Sequence, residues 1–262
     1  MTSALTSLLE GDLELEGRIL PASNATFFGA VLGAERVACV YKPVAGERPL
    51  WDFPEGTLAA REVAAYVVSE ALGWDVVPPT VLRDGPLGPG MVQAWREPDP
   101  EQSPVDVVPR GTLPPGFRHV LDAHDGDDNE VSLVHEDSAA LRRMAVLDVL
   151  VNNADRKGGH VLAMPGGHRH GVDHGVCFHV DDKLRTVLWG WAEEPLHADD
   201  VPVVEAFVAR LGDGGDAVRR GLGDLLADDE LQALVERTAR LLARGRMPLP
   251  SGAWPAIPWP AF

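Results

Sequence analysis

The chain is poor in several things, and each shortage closes off a class of protein. It has two cysteines, Cys39 and Cys177, both inside apolar segments. A disulfide framework is not indicated, and a reducing compartment fits. No apolar run approaches the roughly 20 residues of a membrane span. The opening MTSALTSLLEGDLELEG has no basic region and no long apolar core, so it does not read as a signal peptide. There is no run of Lys or Arg: Arg110, Arg118 and Arg156 stand singly in a chain of 262 residues and net charge −17. Such a surface repels nucleic acid and anionic lipid. Lipidation motifs and basic amphipathic helices are missing as well. The expectation is a cytoplasmic protein with no nucleic-acid partner and no stable membrane binding. Internal repeats are also lacking.

What is present is a chain of 45% hydrophobic residues, long enough for one large domain or two lobes. The segments Leu13–Leu20, Thr26–Leu32 and Arg36–Lys42 alternate as strands do, with a tight turn at Pro21, Ser23 and Asn24. In the third, Ala38, Val40 and Lys42 share a face, so Lys42 ends an otherwise apolar face. Thr57 is a suitable N-cap for a helix to Leu72, and Gly73 a suitable terminator. Two more strands, Val76–Arg83 and Gly90–Trp95, complete a small sheet carrying one helix. Composition shifts at Glu97. Residues 97–137 are dense in Pro, Asp and Gly and read as a hinge and a long surface loop, with a short helix at Leu113–Leu121. Its tract DAHDGDDNE reads as a solvated acidic loop rather than a calcium loop. Ser138 caps a helix to about Asn152 that is apolar nearly all round, hence buried. The segments Val161–Met164 and Arg169–Val172 form a hairpin around PGG, and Leu184–Trp189 reads as extended. Three helices follow, capped at Asp199 or Asp200, Asp216 and Asp228. The Pro-rich tail, residues 247–262, is expected to pack back through Trp254, Ile257, Trp259 and Phe262.

The helix at 139–152 delivers NNADRKGGH, and the hairpin after it ends in GVDHGVCF. Two carboxylates, Asp155 and Asp173, therefore sit in polar turns about one hairpin apart. Such a pair can hold a divalent metal on a phosphate and orient a hydroxyl. Lys42 can reach a phosphate, and Glu62 on the preceding lobe's helix can hold that lysine in place. The order is that of a bilobal kinase: an α+β fold, with a small β-rich N-lobe with one helix at 1–96 and a mainly helical C-lobe at 97–262.

On the motifs VYKP, REVAAYVVSEALGWDVVPPTVL, MVQAW, VLVNNADRKGGHVL and VDHGVCF, the chain resembles the phosphatidylinositol 3-/4-kinase superfamily. The type II phosphatidylinositol 4-kinase branch and its bacterial relatives are the nearest, over roughly Leu15 to Trp191. The resemblance implies a kinase using ATP with Mg²⁺ or Mn²⁺. It implies that Lys42 contacts the ATP phosphates with Glu62 as partner, and that Ser23, Asn24 and Thr26 lie in the phosphate-covering turn. Gln93, Ala94 and Trp95 would meet the adenine, Asp155 would orient or deprotonate the acceptor hydroxyl, and Asp173 would hold the metal. The family has Asn five residues after the catalytic Asp; here it is His160, an imidazole better suited to transition metals than to Mg²⁺. The acceptor is expected to be a soluble protein hydroxyl or a small alcohol.

Two further readings stand beside this one. The chain could be a pseudokinase or nucleotide-binding regulatory module, since fold does not fix activity. Alternatively, His160, His168, His170, His174 and His179, five of nine histidines, could build a transition-metal site with Asp173.

Overall fold

In the computed structural model, the described residues are 3–20, 24–54 and 56–262; Ser23 lies outside them. Helix α1 (Ser3–Glu10) leads into β1 (Asp12–Arg18), β2 (Phe27–Leu32) and β3 (Arg36–Pro43). Helix α2 (Leu58–Leu72) follows, then β4 (Thr80–Gly85) and β5 (Gly88–Ala94). These five strands form one antiparallel sheet in the order β1-β2-β3-β5-β4, so β5 inserts beside β3. One face buries Cys39, Tyr41, Val92 and Ala94 against Leu8 of α1. The other carries Met91, which packs on Ala59 and Val63 of α2. Lys42 is the register partner of Met91, which places the lysine on the α2 face. The strand alternation thus carries Lys42 toward Glu62.

The cap of α2 differs from expectation. Thr57 precedes the helix but makes no side-chain cap bond; its hydroxyl turns to Pro54 O. The carboxylate of Glu47 accepts from Leu58 N at 3.1 Å and Ala59 N at 2.9 Å instead. A negative group at a helix N-terminus also suits the helix dipole. Gly73 ends the helix in the left-handed region (φ 66°), where a Cβ is disfavoured.

The long-loop reading of 97–137 is overturned. Three strands lie there: β6 (Val105–Pro109), β7 (Phe117–His124) and β8 (Glu130–Glu136), paired antiparallel in the order β6-β8-β7. No helix forms at 113–121; β7 takes most of that span. The acidic tract becomes the β7–β8 turn, where Asp125 accepts from Asp127 N and Asn129 N.

Helix α3 (Ala139–Val151) is capped by Ser138, which accepts from Leu141 N. Its buried residues, among them Met144, Leu147 and Leu150, share a continuous core with Ala64, Val68 and Leu72 of α2. The short hairpin β9 (Val161–Ala163) and β10 (Arg169–Gly171) follows as expected. Residues 184–188 form no strand beyond one isolated bridge, Arg156 to Thr186. Helices α4 (Val201–Gly212), α5 (Ala217–Gly223) and α6 (Asp228–Arg244) close the C-terminal part. Asp216 caps α5 through Val218 N; Asp228 lies in the first turn of α6 rather than at its cap. The tail docks by backbone: Thr186 N donates to Ala256 O and Gly158 N to Ala261 O. Trp259, expected to pack inward, is 89% exposed. A β-rich N-terminal region and a helical C-terminal part make this a kinase-like α+β fold. Among the described residues no helix is long and apolar enough to cross a membrane.

Candidate active site

Three segments distant in sequence meet at one lysine. Lys42 Nζ, at the end of β3, donates to Glu62 Oε1 of α2 at 2.7 Å and to Asp173 Oδ1, just past β10, at 2.6 Å. The other oxygen of Glu62 accepts from His174 N at 2.7 Å. Glu62 therefore ties the lysine and the turn after β10 to one helix. Burial alone would push the lysine toward neutrality, but Asp173 and Glu62 outweigh it and hold its pKa well above the usual value. Lys42 in turn holds the Asp173 carboxyl far below the ordinary carboxylate range, against the effect of burial. Asp173 adopts φ 61°, in the left-handed region that few non-glycine residues occupy and that often marks functional turns.

His160 closes the opposite side. Its Nδ1 lies 3.1 Å from Asp155 O, and its Nε2 lies 3.4 Å from Asp173 Oδ2. A carbonyl can only accept, so Nδ1 carries the proton and the Nε2 lone pair faces the carboxylate. Burial lowers the imidazole pKa to about 4, with Asp173 opposing, so the ring is neutral at pH 7. A lone pair and a carboxylate oxygen facing each other with no proton between them form a donor pair for a cation.

Asp155 stands at the mouth, with Lys157 Nζ 3.5 Å from its Oδ2. Burial raises its pKa, opposed by Lys157 and Arg185, which makes it a better proton acceptor than a free carboxylate. Its loop is built on a fully buried ion pair that the sequence reading missed. Arg156 Nε and Nη2 each donate at 2.9 Å to the two oxygens of Asp148. Arg156 Nη1 donates to His160 O at 3.2 Å and to Val172 O at 3.0 Å. One guanidinium thus fixes the loop of Asp155 against the turn of Asp173. Its fork of five donors suits that task, where a lysine would not.

Lys42, Glu62, Asp155, Lys157, His160 and Asp173 line a cleft of about 660 Å³. The chain has three lysines against twenty arginines, and all three, Lys42, Lys157 and Lys183, lie in its wall with Arg48 and Arg185. Five carboxylates, Glu47, Asp52, Glu62, Asp155 and Asp173, share the wall with these five cations, so the cleft is balanced in charge where the chain as a whole is strongly acidic. That scarcity of lysine was visible in the composition and is the signal that could have found Lys157 and Lys183. Trp51, Trp254, Trp259 and Phe262 wall the outer end.

Lys42, Glu62, Asp155, His160, Asp173 and Asn24 are brought together, Asn24 accepting from Arg48 N at 2.8 Å. Thr26, Gln93, Ala94 and Trp95 are not among the described residues lining the cleft. Thr26 is buried, its hydroxyl on Asn24 O. Gln93 spends its amide on Thr80 within the sheet. Trp95 is 38% exposed, with its indole N–H on Glu97. The five histidines do not form one site. His160 and His174 flank Asp173, and His179 packs edge-on against Phe53. His168 and His170 face each other on the hairpin.

The fold is kinase-like. The structure of hydra Fam20 with sugar is similar at a TM-score of 0.56, with 13% identity, covering 92% of this chain and 86% of that one. The Helicobacter pylori proinflammatory kinase CtkA overlaps 91% of this chain and 97% of its own at a TM-score of 0.49 and 11% identity. No protein-family model matches the chain. It is 51% identical over 266 residues to Protein Rv2133c of Mycobacterium tuberculosis (strain ATCC 25618 / H37Rv), covering 97% of this chain and 94% of that protein. The chain belongs to the family of Protein Rv2133c.

Proposed function

We propose that the chain is a phosphotransferase that takes the γ-phosphate of ATP to a hydroxyl on a soluble protein or small molecule. The observation that carries this reading is the Glu62–Lys42–Asp173 chain of contacts, with Asp155 and His160 beside it. Phosphoryl transfer asks a protein mainly for positioning and charge neutralisation, and these are the groups that supply both.

Lys42, held by Glu62, pairs with phosphate oxygens. Asp173 and His160 present the donor pair that fits a divalent cation, and the imidazole favours Mn²⁺ or another transition metal beside Mg²⁺. Such a cation would neutralise charge on the phosphates. Asp155, its carboxyl made more basic by burial, orients the acceptor hydroxyl and takes its proton. Of the adenine contacts, Trp95 is the one with surface to offer; Gln93 is committed to the sheet. Asn24 acts by anchoring the segment after β3, through Arg48 N. We keep the likeness to the type II phosphatidylinositol 4-kinase branch as part of the proposal, supported by the order of its motifs, without its lipid acceptor. Residues 1–96 and 97–262 are taken as the two lobes, although α2 and α3 share a core. Two free, buried cysteines support a cytoplasmic setting.

The test is calorimetric titration of the chelator-treated protein with ATP, alone and with Mg²⁺ or Mn²⁺. Binding that requires the cation, and that Asp173→Asn abolishes in a folded protein, is the expected result. ATP affinity indifferent to both would sink the assignment.

A further inference from the structure

A second cluster lies away from Asp173, where the turn between α2 and β4 meets the β9–β10 hairpin. Asp75 in that turn has φ 51°, a conformation Asp tolerates better than most residues. The turn is pinned from below by Ser69 Oγ, which accepts from Val76 N and Val77 N. It is tied to the hairpin by Gly171 N, which donates to Val76 O at 2.8 Å. His168 and His170 alternate along the hairpin strand, so their rings fall on one side, 4.4 Å apart between centroids and near-perpendicular. His168 Nε2 lies 3.3 Å from His170 Nδ1 and 3.6 Å from Asp75 Oδ2. The ligand atoms of all three residues fall within 4.8 Å of one another.

These separations have a chemical meaning. Ligands bound tetrahedrally at about 2.0–2.1 Å stand about 3.3–3.4 Å apart. The two shortest distances here are close to that edge before any ion pulls the groups together. Val76 O, 3.3 Å from His170 Nδ1, already accepts the Gly171 N–H, so His170 can carry its proton on Nε2 and leave Nδ1 as the ligand atom. Two imidazoles and one carboxylate select a borderline transition metal and are a poor set for Mg²⁺ or Ca²⁺, which demand oxygens. His170 is buried, His168 half-buried and Asp75 exposed, so solvent can reach the remaining coordination position. The carboxylate also offsets the positive field of Arg96 at His170.

We propose that Asp75, His168 and His170 bind a divalent transition metal of the Zn²⁺ class, clamping the α2–β4 turn to the β9–β10 hairpin. The ion's position gives it a consequence. At the base of the same hairpin, His160 stands one residue before the first strand and Asp173 two residues past the second. A clamp at its far end stiffens the frame that sets their spacing without touching them. The site stands whether or not the chain transfers phosphate.

The test uses the full chain, stripped with chelator and titrated with Zn²⁺ alone. It compares the wild type with Asp173→Asn, His168→Gln and Asp75→Asn; the latter two positions are accessible enough to change without loss of fold, which circular dichroism checks. Wild type and Asp173→Asn are expected to take up Zn²⁺ and gain thermal stability. His168→Gln and Asp75→Asn are expected to bind at least about 100-fold more weakly, since even outer-shell losses cost up to that much. Co²⁺ should give a visible ligand-field band in the wild type that His168→Gln abolishes. No Zn²⁺ uptake at micromolar metal, or uptake that Asp173→Asn removes and His168→Gln leaves, overturns the proposal.

Discussion

Removing the Asp148 carboxylate is expected to unfold the site from beneath. Asp148 and Arg156 are both fully buried, 0% exposed. The carboxylate accepts two bonds from Arg156 and a third from Asn153 Nδ2, all at 2.9 Å. Asp148→Leu leaves the guanidinium buried, charged and without its counter-ion. Breaking one side of a buried pair costs about 3–5 kcal/mol, a large share of a total stability of roughly 5–15 kcal/mol. Arg156→Met strands the carboxylate by the same logic. The double variant strands neither, so it should lose clearly less than the sum of the two singles. Urea denaturation of all four proteins, followed by far-ultraviolet circular dichroism, closes the cycle. A coupling within about 0.5 kcal/mol of zero is ordinary additivity and would refute the reasoning. The cycle also separates stability from function. Even where the double variant folds, it lacks the bonds from Arg156 to His160 O and Val172 O. Its ATP affinity should therefore stay low while its stability recovers.

Asp155→Asn should leave ATP affinity intact and lower single-turnover phosphoryl transfer about 10²–10⁴-fold, the scale of a positioned acid–base group; unchanged turnover would remove Asp155 from the chemistry. His160→Asn should raise the activity with Mg²⁺ relative to Mn²⁺, read from initial rates in each metal; an unmoved ratio would mean the imidazole is no ligand. His135 gives a pH prediction. Its Nδ1 donates to Glu136 O and its Nε2 accepts from Gly190 N at 3.0 Å, a neutral tautomer locked at both ends. Burial lowers its pKa from 6.5 to about 4. Between those values the unfolded state binds the proton more readily, so stability falls as pH falls. The loss is about 2 kcal/mol from pH 7 to pH 5. Urea midpoints of wild type and His135→Gln at both pH values check it; equal pH slopes would exclude His135 as the cause.

Legibility in this sequence followed the range of the interactions. Lys42 was readable because strand alternation alone decides which face it takes, and Glu62 because a helix fixes its flank. Asp155 and Asp173 were readable because each stands in a polar turn between apolar runs. What failed was fixed by partners far along the chain. The cap of α2 is Glu47, whose carboxylate reaches Leu58 N across eleven residues that no capping motif spans. Among the described residues, strands β6 to β8 pair only with one another, and β7 has no buried residue, half of it being exposed. Alternation there is too weak to outvote the prolines and glycines around it. Arg61 and Arg156 look like surface cations in sequence, yet both are buried. Arg61 reaches Cys177 O at 2.6 Å and pairs with Glu230 on α6, a contact no local pattern encodes. A buried arginine is legible only once its carboxylate is known to lie opposite. The same limit divided the histidines: His168 and His170, two apart along a strand, turn their rings to one side by alternation alone. Spacing could not say that Asp75, nearly a hundred residues earlier, rather than Asp173, completes their group.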